Sequence, residues 1–149
     1  MNEIRTDNIS KEPLRLLRAL VQTGKLVELH LDGVLDEADL SLTRLFTLNR
    51  LEQAAEPLSL SNLAACLAFV KSNATQVIDR LEKEQLVKRV PDSTDRRCTR
   101  LALTDEGQQR HEIGLETIQP FIDRLNTIYT AEEQGLLVRL LQRLNTSLV

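Results

Sequence analysis

Five polar side chains within six positions, Lys71, Ser72, Asn73, Thr75 and Gln76, put one cation and a dense set of hydrogen-bonding groups on a short stretch of chain. Asn and Gln carry a donor and an acceptor side by side, matched to the edge of adenine, whereas Lys and the hydroxyls suit phosphate oxygens. This group reads as a surface for duplex DNA, with Asn73 and Gln76 on base edges and Lys71, Ser72 and Thr75 nearer phosphates. A second group, Asp95-Arg96-Arg97-Cys98-Thr99-Arg100, gathers three guanidiniums beside one carboxylate and one thiol. Arginine on a narrow β-ribbon suits an A·T-rich minor groove, where negative potential is concentrated. Each group also has a plainer reading: an ordinary exposed helix face, and a solvated charged turn with weak surface ion pairs.

The charge balance supports the nucleic-acid reading only when it is resolved along the chain. Over 149 residues the net charge is −3, with 42% hydrophobic and 28% charged residues, ordinary globular usage. Residues 71–100 hold eight basic and five acidic side chains, a local +3, which leaves −6 on the rest. A basic segment inside an acidic chain is the footprint of a DNA-contacting part on a separate scaffold. Aromatic residues are only 3%, too few for the stacking platforms that single strands and RNA require. Duplex DNA is the expected partner, and RNA is not.

Other chemistries have less to stand on. Cys66 and Cys98 are far apart, and neither sits in a Cys-x-x-Cys or Cys/His cluster, so no metal site is expected and a reduced compartment fits. His30 and His111 have no second ligand at metal spacing. A Cys98–His111 nucleophile pair lacks both a third orienting group and a glycine-rich phosphate loop, so no enzyme and no cofactor are expected. Cys66, among Leu63, Ala64 and Leu67, reads as a small core residue. Cys98 beside Arg97 is a candidate redox group, because neighbouring positive charge favours thiolate. The longest apolar run, Leu63–Val70, has eight residues, far short of the roughly 20 that span a bilayer. With no signal-peptide pattern at Met1–Asp7, the expectation is a soluble cytoplasmic protein without a membrane partner.

These groups need elements to hold them. Leu16, Leu17, Leu20, Val21, Val27 and Leu31 recur at helical spacing and predict a first helix over about 11–31, followed by a loop at Asp32-Gly33 and the acidic stretch to Asp39. Leu42, Leu45, Phe46, Leu48 and Leu51 give a second helix, capped by Ser41 and ended before Pro57. Ser59 caps a short third helix whose inner face is Leu60, Leu63, Ala64 and Leu67. A fourth, over about 71–85, buries Ala74, Val77, Ile78 and Leu81 and leaves the first polar group outside. Two β-prone runs, 86–90 and 98–103, flank a polar turn and predict a hairpin with Val87, Leu101 and Leu103 inward.

Thr104 then starts a helix whose stripe is Leu115, Ile118, Ile122, Leu125 and Tyr129, with a kink expected at Pro120. Thr130-Ala131-Glu132-Glu133 is a capping box for a last helix striped by Leu137, Leu140, Leu141, Leu144 and Leu148. The pattern predicts a mainly α chain with a small β-hairpin: one domain over 1–149, a winged helix-turn-helix over about 41–103, and flanking helices at about 11–31 and 104–148. The flanking stripes exceed what a core of roughly 60 residues can cover, so they are expected to pair with a second copy through Leu17, Leu20, Ile122, Leu125, Leu137, Leu140, Leu141 and Leu144. Folding back within one chain is the alternative.

The run Leu81-Glu82-Lys83-Glu84-Gln85-Leu86-Val87-Lys88-Arg89, then Asp95-Arg96-Arg97 and Leu103-Thr104-Asp105-Glu106-Gly107, resembles the MarR family of bacterial transcription regulators. Pro57-Leu58-Ser59, Leu63-Ala64, Ser72-Asn73 with Thr75, and Tyr129-Thr130 with Glu132-Glu133 are similar to it as well, so the likeness spans about 14–144. The resemblance implies a homodimeric winged-helix repressor on a pseudo-palindromic operator, released by a small aromatic or phenolic effector. It implies Arg97 as the groove-inserting side chain, Asp95 as its orienter, and Arg96 and Arg100 as phosphate contacts. Three departures stand out: Gln85 where the family usually has Gly, Val70 at a usual helix-cap position, and Gln76 in place of a frequent Arg. The competing readings are a winged-helix protein-interaction module and a redox-responsive regulator using Cys98.

Overall fold

The computed structural model describes residues 6–66 and 74–148. Among the described residues, six helices and three strands follow in the order α1 (Thr6–Leu35), a single 3-10 turn (Asp36–Ala38), α2 (Leu42–Glu52), β1 (Leu58–Ser59), α3 (Leu60–Cys66), α4 (Ala74–Lys83), β2 (Val87–Pro91), β3 (Thr99–Leu103), α5 (Asp105–Ile128) and α6 (Ala131–Ser147). The core sits in the middle of the chain, where Leu35, Leu45, Leu48, Leu63, Ile78, Leu81, Leu86 and Leu101 are closed off from solvent. Burying each such side chain contributes roughly 1.5–3 kcal/mol.

α1 is longer than its sequence pattern suggests. The expected loop at Asp32-Gly33 is helical, because Leu31 and Leu35 continue the buried stripe by one more turn. The Asp32 carboxylate instead accepts the Leu42 amide at 2.6 Å, at the start of α2. The chain reverses at Asp39, in the left-handed region at φ 52, with the Leu40 amide returning to the Leu35 carbonyl at 3.1 Å. α2 begins where expected, with Ser41 accepting from the Arg44 amide.

The predicted hairpin is the larger part of a three-stranded antiparallel sheet, ordered β1-β3-β2. Val87 pairs with Leu103 and Arg89 with Leu101, while Leu58 and Ser59 face Leu101 and Arg100 from the other side. A two-residue strand is too short to show alternation, so β1 left no periodic trace in the sequence. Cys66 corrects another expectation: it is exposed, outside the stripe of Leu60, Leu63 and Ala64 that α3 turns inward.

The terminal helices behave differently from the core. In α5 the buried residues are Gly107, His111 and Gly114, all in its first half, and α6 has none. At Gly114 an added Cβ would meet Leu45 and Leu40 methyls at 2.6 and 2.9 Å, so the missing side chain lets α5 dock on α2. Thr130 caps α6 through the reciprocal box with Glu133. Pro120 lies within α5. Leu17, Val21, Leu137, Leu140, Leu141 and Leu144 all remain exposed, so the apolar stripes are not folded back within this chain. Leu20, Ile122 and Leu125 are half-buried. Among the described residues no helix is long and apolar enough to cross a membrane.

Candidate nucleic-acid interface

The surface comprises α4 and the loop between β2 and β3. Lys71, Ser72 and Asn73 from the first polar group, with Val70 and Leu67, lie outside the described residues. Thr75 and Gln76 are exposed on α4, while Ala74, Ile78 and Leu81 on its other side are buried. An amphipathic helix seated this firmly presents its polar face as a rigid plate.

The end of α4 is built around Gln85. Its φ is 60, the left-handed conformation that the family's usual glycine adopts without strain. The Gln85 amide bonds the Glu82 carbonyl and the Leu86 amide the Leu81 carbonyl, both at 2.9 Å, a Schellman closure with buried Leu81 and Leu86 beside it. Thr104 holds this corner from the other side. Its hydroxyl donates to the Gln85 carbonyl at 2.6 Å and accepts the Gly107 amide at 2.9 Å. A Cβ on Gly107 would fall 1.9 Å from the Leu86 carbonyl oxygen, so only glycine permits this approach. The Leu-Thr-x-x-Gly pattern is therefore a clamp between α5 and the end of α4.

Arg89, on β2, ties the ribbon to α4 through Glu82 at 2.9 Å and Asp79 at 3.1 Å. The Glu82 hydrogen bond raises the Arg89 guanidinium above its usual value. This pairing links helix and ribbon at the surface.

The loop itself is organised by Asp92, which the sequence reading passed over. Asp92 is buried, and one of its oxygens accepts from the Thr94 amide and hydroxyl, each at 2.7 Å, and from the Asp95 amide at 3.3 Å. The other pairs with Arg100 Nε. The Thr94 hydroxyl, the Thr94 amide and Arg100 hold the Asp92 carboxyl well below the usual carboxylate range. The sequence signal was available: Asp92-Ser93-Thr94 is an Asx-turn pattern.

Arg100 differs from its expected role as a phosphate contact. Its guanidinium is engaged by Asp92 and by the Pro57 carbonyl at 3.1 Å, so it fastens the ribbon to the residue preceding β1. Asp95 accepts the backbone amide of Arg97 at 3.0 Å, which orients the chain at Arg97 rather than the guanidinium. Cys98 is exposed, with Sγ 3.8 Å from the Asp95 carboxylate. Arg96 and Arg97 are exposed at the tip. Acids on the protein neutralise Arg80, Arg89 and Arg100, and among the described residues Arg96 and Arg97 carry no ion pair.

A helix-turn-helix with its second helix packed on the core, followed by a β-ribbon tipped with arginine and flanked by long helices, defines a winged helix-turn-helix protein. Residues 40–99 match the MarR family model. The transcriptional repressor MprA of Escherichia coli is 35% identical over 71 residues, 48% of this chain and 39% of that protein. The HTH-type transcriptional regulator PecS of Dickeya dadantii is 30% identical over 102 residues, 67% of this chain and 61% of that protein. The chain thus spans between two fifths and three fifths of the length of these relatives. A mutant MarR from Escherichia coli, solved in complex with operator DNA, shares the fold at TM-score 0.77 and 24% identity, over 89% of this chain and 95% of that one.

Proposed function

We propose that this chain is a sequence-specific duplex-DNA-binding transcription regulator, a cytoplasmic repressor that grips a pseudo-palindromic operator as a homodimer. The observation that carries this reading is the wing: two exposed arginines, Arg96 and Arg97, at the tip of a loop braced by Asp92 and Asp95 and held against α4 by Arg89. Arg97 enters the minor groove, Arg96 contacts phosphate, and Asn73 and Gln76 meet base edges in the major groove with Lys71, Ser72 and Thr75 on its phosphates. The exposed leucines of α1 and α6 support the dimer, which would set the two reading helices roughly 34–36 Å apart. The repressor named among its relatives supports the sign of regulation. A small aromatic or phenolic effector, acting between the terminal helices and the winged segment, would release the DNA by changing that spacing.

Selection of duplexes from a random pool by the purified chain tests the reading. The expected product is a palindrome whose affinity falls steeply with salt. No enrichment, with indifference to duplex at low salt, overturns it in favour of a protein-interaction module. Peroxide treatment that abolishes operator binding in the native chain, but not in Cys98→Ser, would establish the redox-responsive version; unchanged binding removes it.

A further inference from the structure

Arg44 is a buried arginine that the DNA surface does not use. It lies in the first turn of α2, only 6% exposed, and it joins two helix ends that are distant in sequence. Nη1 donates to the Asp39 carbonyl at 2.7 Å, where the turn after α1 reverses. Nη2 pairs with the Glu84 carboxylate, one residue past α4. Glu84 also takes Arg80 Nε at 3.1 Å, and the Asp39 carboxylate has Arg110 of α5 at 3.6 Å. Positive and negative groups therefore alternate from α5 through the end of α1 and α2 to the end of α4.

Physical chemistry explains why an arginine tolerates this place. The guanidinium meets the Asp39 carbonyl at the end of the 3-10 turn and the Glu84 carboxylate just past α4, whose C-terminus carries partial negative charge. Burial pushes the guanidinium below its usual value while Glu84 opposes that, and Nε stays buried without a hydrogen-bond partner among the described residues. A group held at such a cost in solvation, with its planar fork across two elements, fixes geometry more than it adds stability. The lever is long: from Glu84 to Thr75 the helix rises roughly 14 Å. A rotation of about 5° at the anchored end would move the base-facing end by about 1 Å.

We propose that the Arg44–Glu84 pair, backed by Asp39 and Arg110, positions the reading helix relative to the terminal helices, which makes Arg44 a specificity-determining positioning residue. The inference rests on the DNA-binding reading above for its consequence, though not for its geometry. It predicts that loosening the fork degrades choice among sequences while leaving the phosphate-driven attraction to any duplex intact.

The test uses the full chain as wild type, Arg44→Lys, and the double variant Arg44→Met with Glu84→Met. Lysine keeps the charge but cannot bridge two acceptors as a planar fork, and the apolar pair removes both charges together, which restores stability in buried ion pairs. Three quantities are read: the ratio of affinities for the selected and a random duplex, the melting temperature, and amide exchange at Gln85 and Leu86. In Arg44→Lys the affinity ratio is expected to fall about ten-fold or more, random-duplex affinity to stay level, and both amides to exchange about ten-fold faster. The double variant should melt near or above wild type and still show the reduced ratio. A wild-type ratio in Arg44→Lys overturns the proposal, as does a reduced ratio without faster exchange. So does loss of both affinities in step with melting temperature, the mark of a merely structural residue. If the double variant does not fold, Arg44→Lys decides. If the wild type selects no duplex, the DNA reading fails, and the exchange rates alone decide whether Arg44 sets the end of α4.

Discussion

At the tip of the wing, the division of labour among four charged residues sets what substitution should do. The Asp95 carboxylate bonds the Arg97 amide and not its guanidinium, so truncating that side chain leaves the loop intact. Arg97→Ala is expected to weaken operator binding by about 1–3 kcal/mol with an unchanged melting temperature; anisotropy titration beside a thermal scan checks it, and equal binding would remove the wing from the mechanism. Gln85 makes the opposite prediction. A non-glycine residue in the left-handed region is strained by roughly 1–2 kcal/mol, and glycine gives back part of that relief through unfolded-chain entropy. Gln85→Gly should therefore stabilise the chain by about 1 kcal/mol, seen as a higher urea midpoint at unchanged slope. The special position of Gln85 was visible in the sequence as a departure from a family pattern. Its left-handed φ is the conformation that pattern implies; its link to Thr104 was not legible, because a hydroxyl 19 positions away makes the contact.

At the scale of the element, the wing is a ribbon whose order depends on one carboxylate. The folded Asp92 carboxyl is held well below its ordinary value, so its contribution to stability is complete above the unfolded pKa of about 4 and is lost as pH falls below that, towards the folded value. Wing order should thus persist from pH 8 down to about pH 4 and weaken progressively only as the pH falls further below that, towards the folded value. Proton-detected NMR of Thr94 and Arg97 amides across that range checks this, and Asp92→Asn should loosen the loop at neutral pH. Elements with a sustained period, α2 and α4, were legible because burial of one face imposes that period, whereas the buried face at the start of α5, Gly107, His111 and Gly114, carries no apolar stripe. β1 and the final turn of α1 were not. One is too short to alternate, and the other contains a glycine and an aspartate whose turn-forming bias is overridden by Leu31, Leu35 and the cap at Leu42.

Across the whole molecule, the exposed leucines are the largest unsettled surface. α6 buries nothing within its own chain, and α1 keeps Leu17 and Val21 in solvent. Leu140→Asp with Leu144→Asp should cost the proposed dimer about 3 kcal/mol or more of association. Sedimentation should then show monomers, with operator affinity lost and affinity for random duplex reduced far less. A folded, operator-binding dimer in that variant would place the interface elsewhere. Charge acts at this scale too. Within the basic segment 71–100, Arg80, Arg89 and Arg100 are paired with acids, whereas Arg96 and Arg97 at the wing tip carry no ion pair among the described residues.

The order of residues alone determined the helical stripes, the caps at Ser41, Thr104 and Thr130, the hairpin and the family motifs, since each is a local pattern that short-range geometry enforces. Which charges are free to meet a partner was decided only in three dimensions. Arg44, Arg89 and Arg100 read as free cations along the chain until folding brings Glu84, Asp79, Glu82 and Asp92 against them. Ion pairing depends on distance in space, and no spacing rule along the chain carries that information.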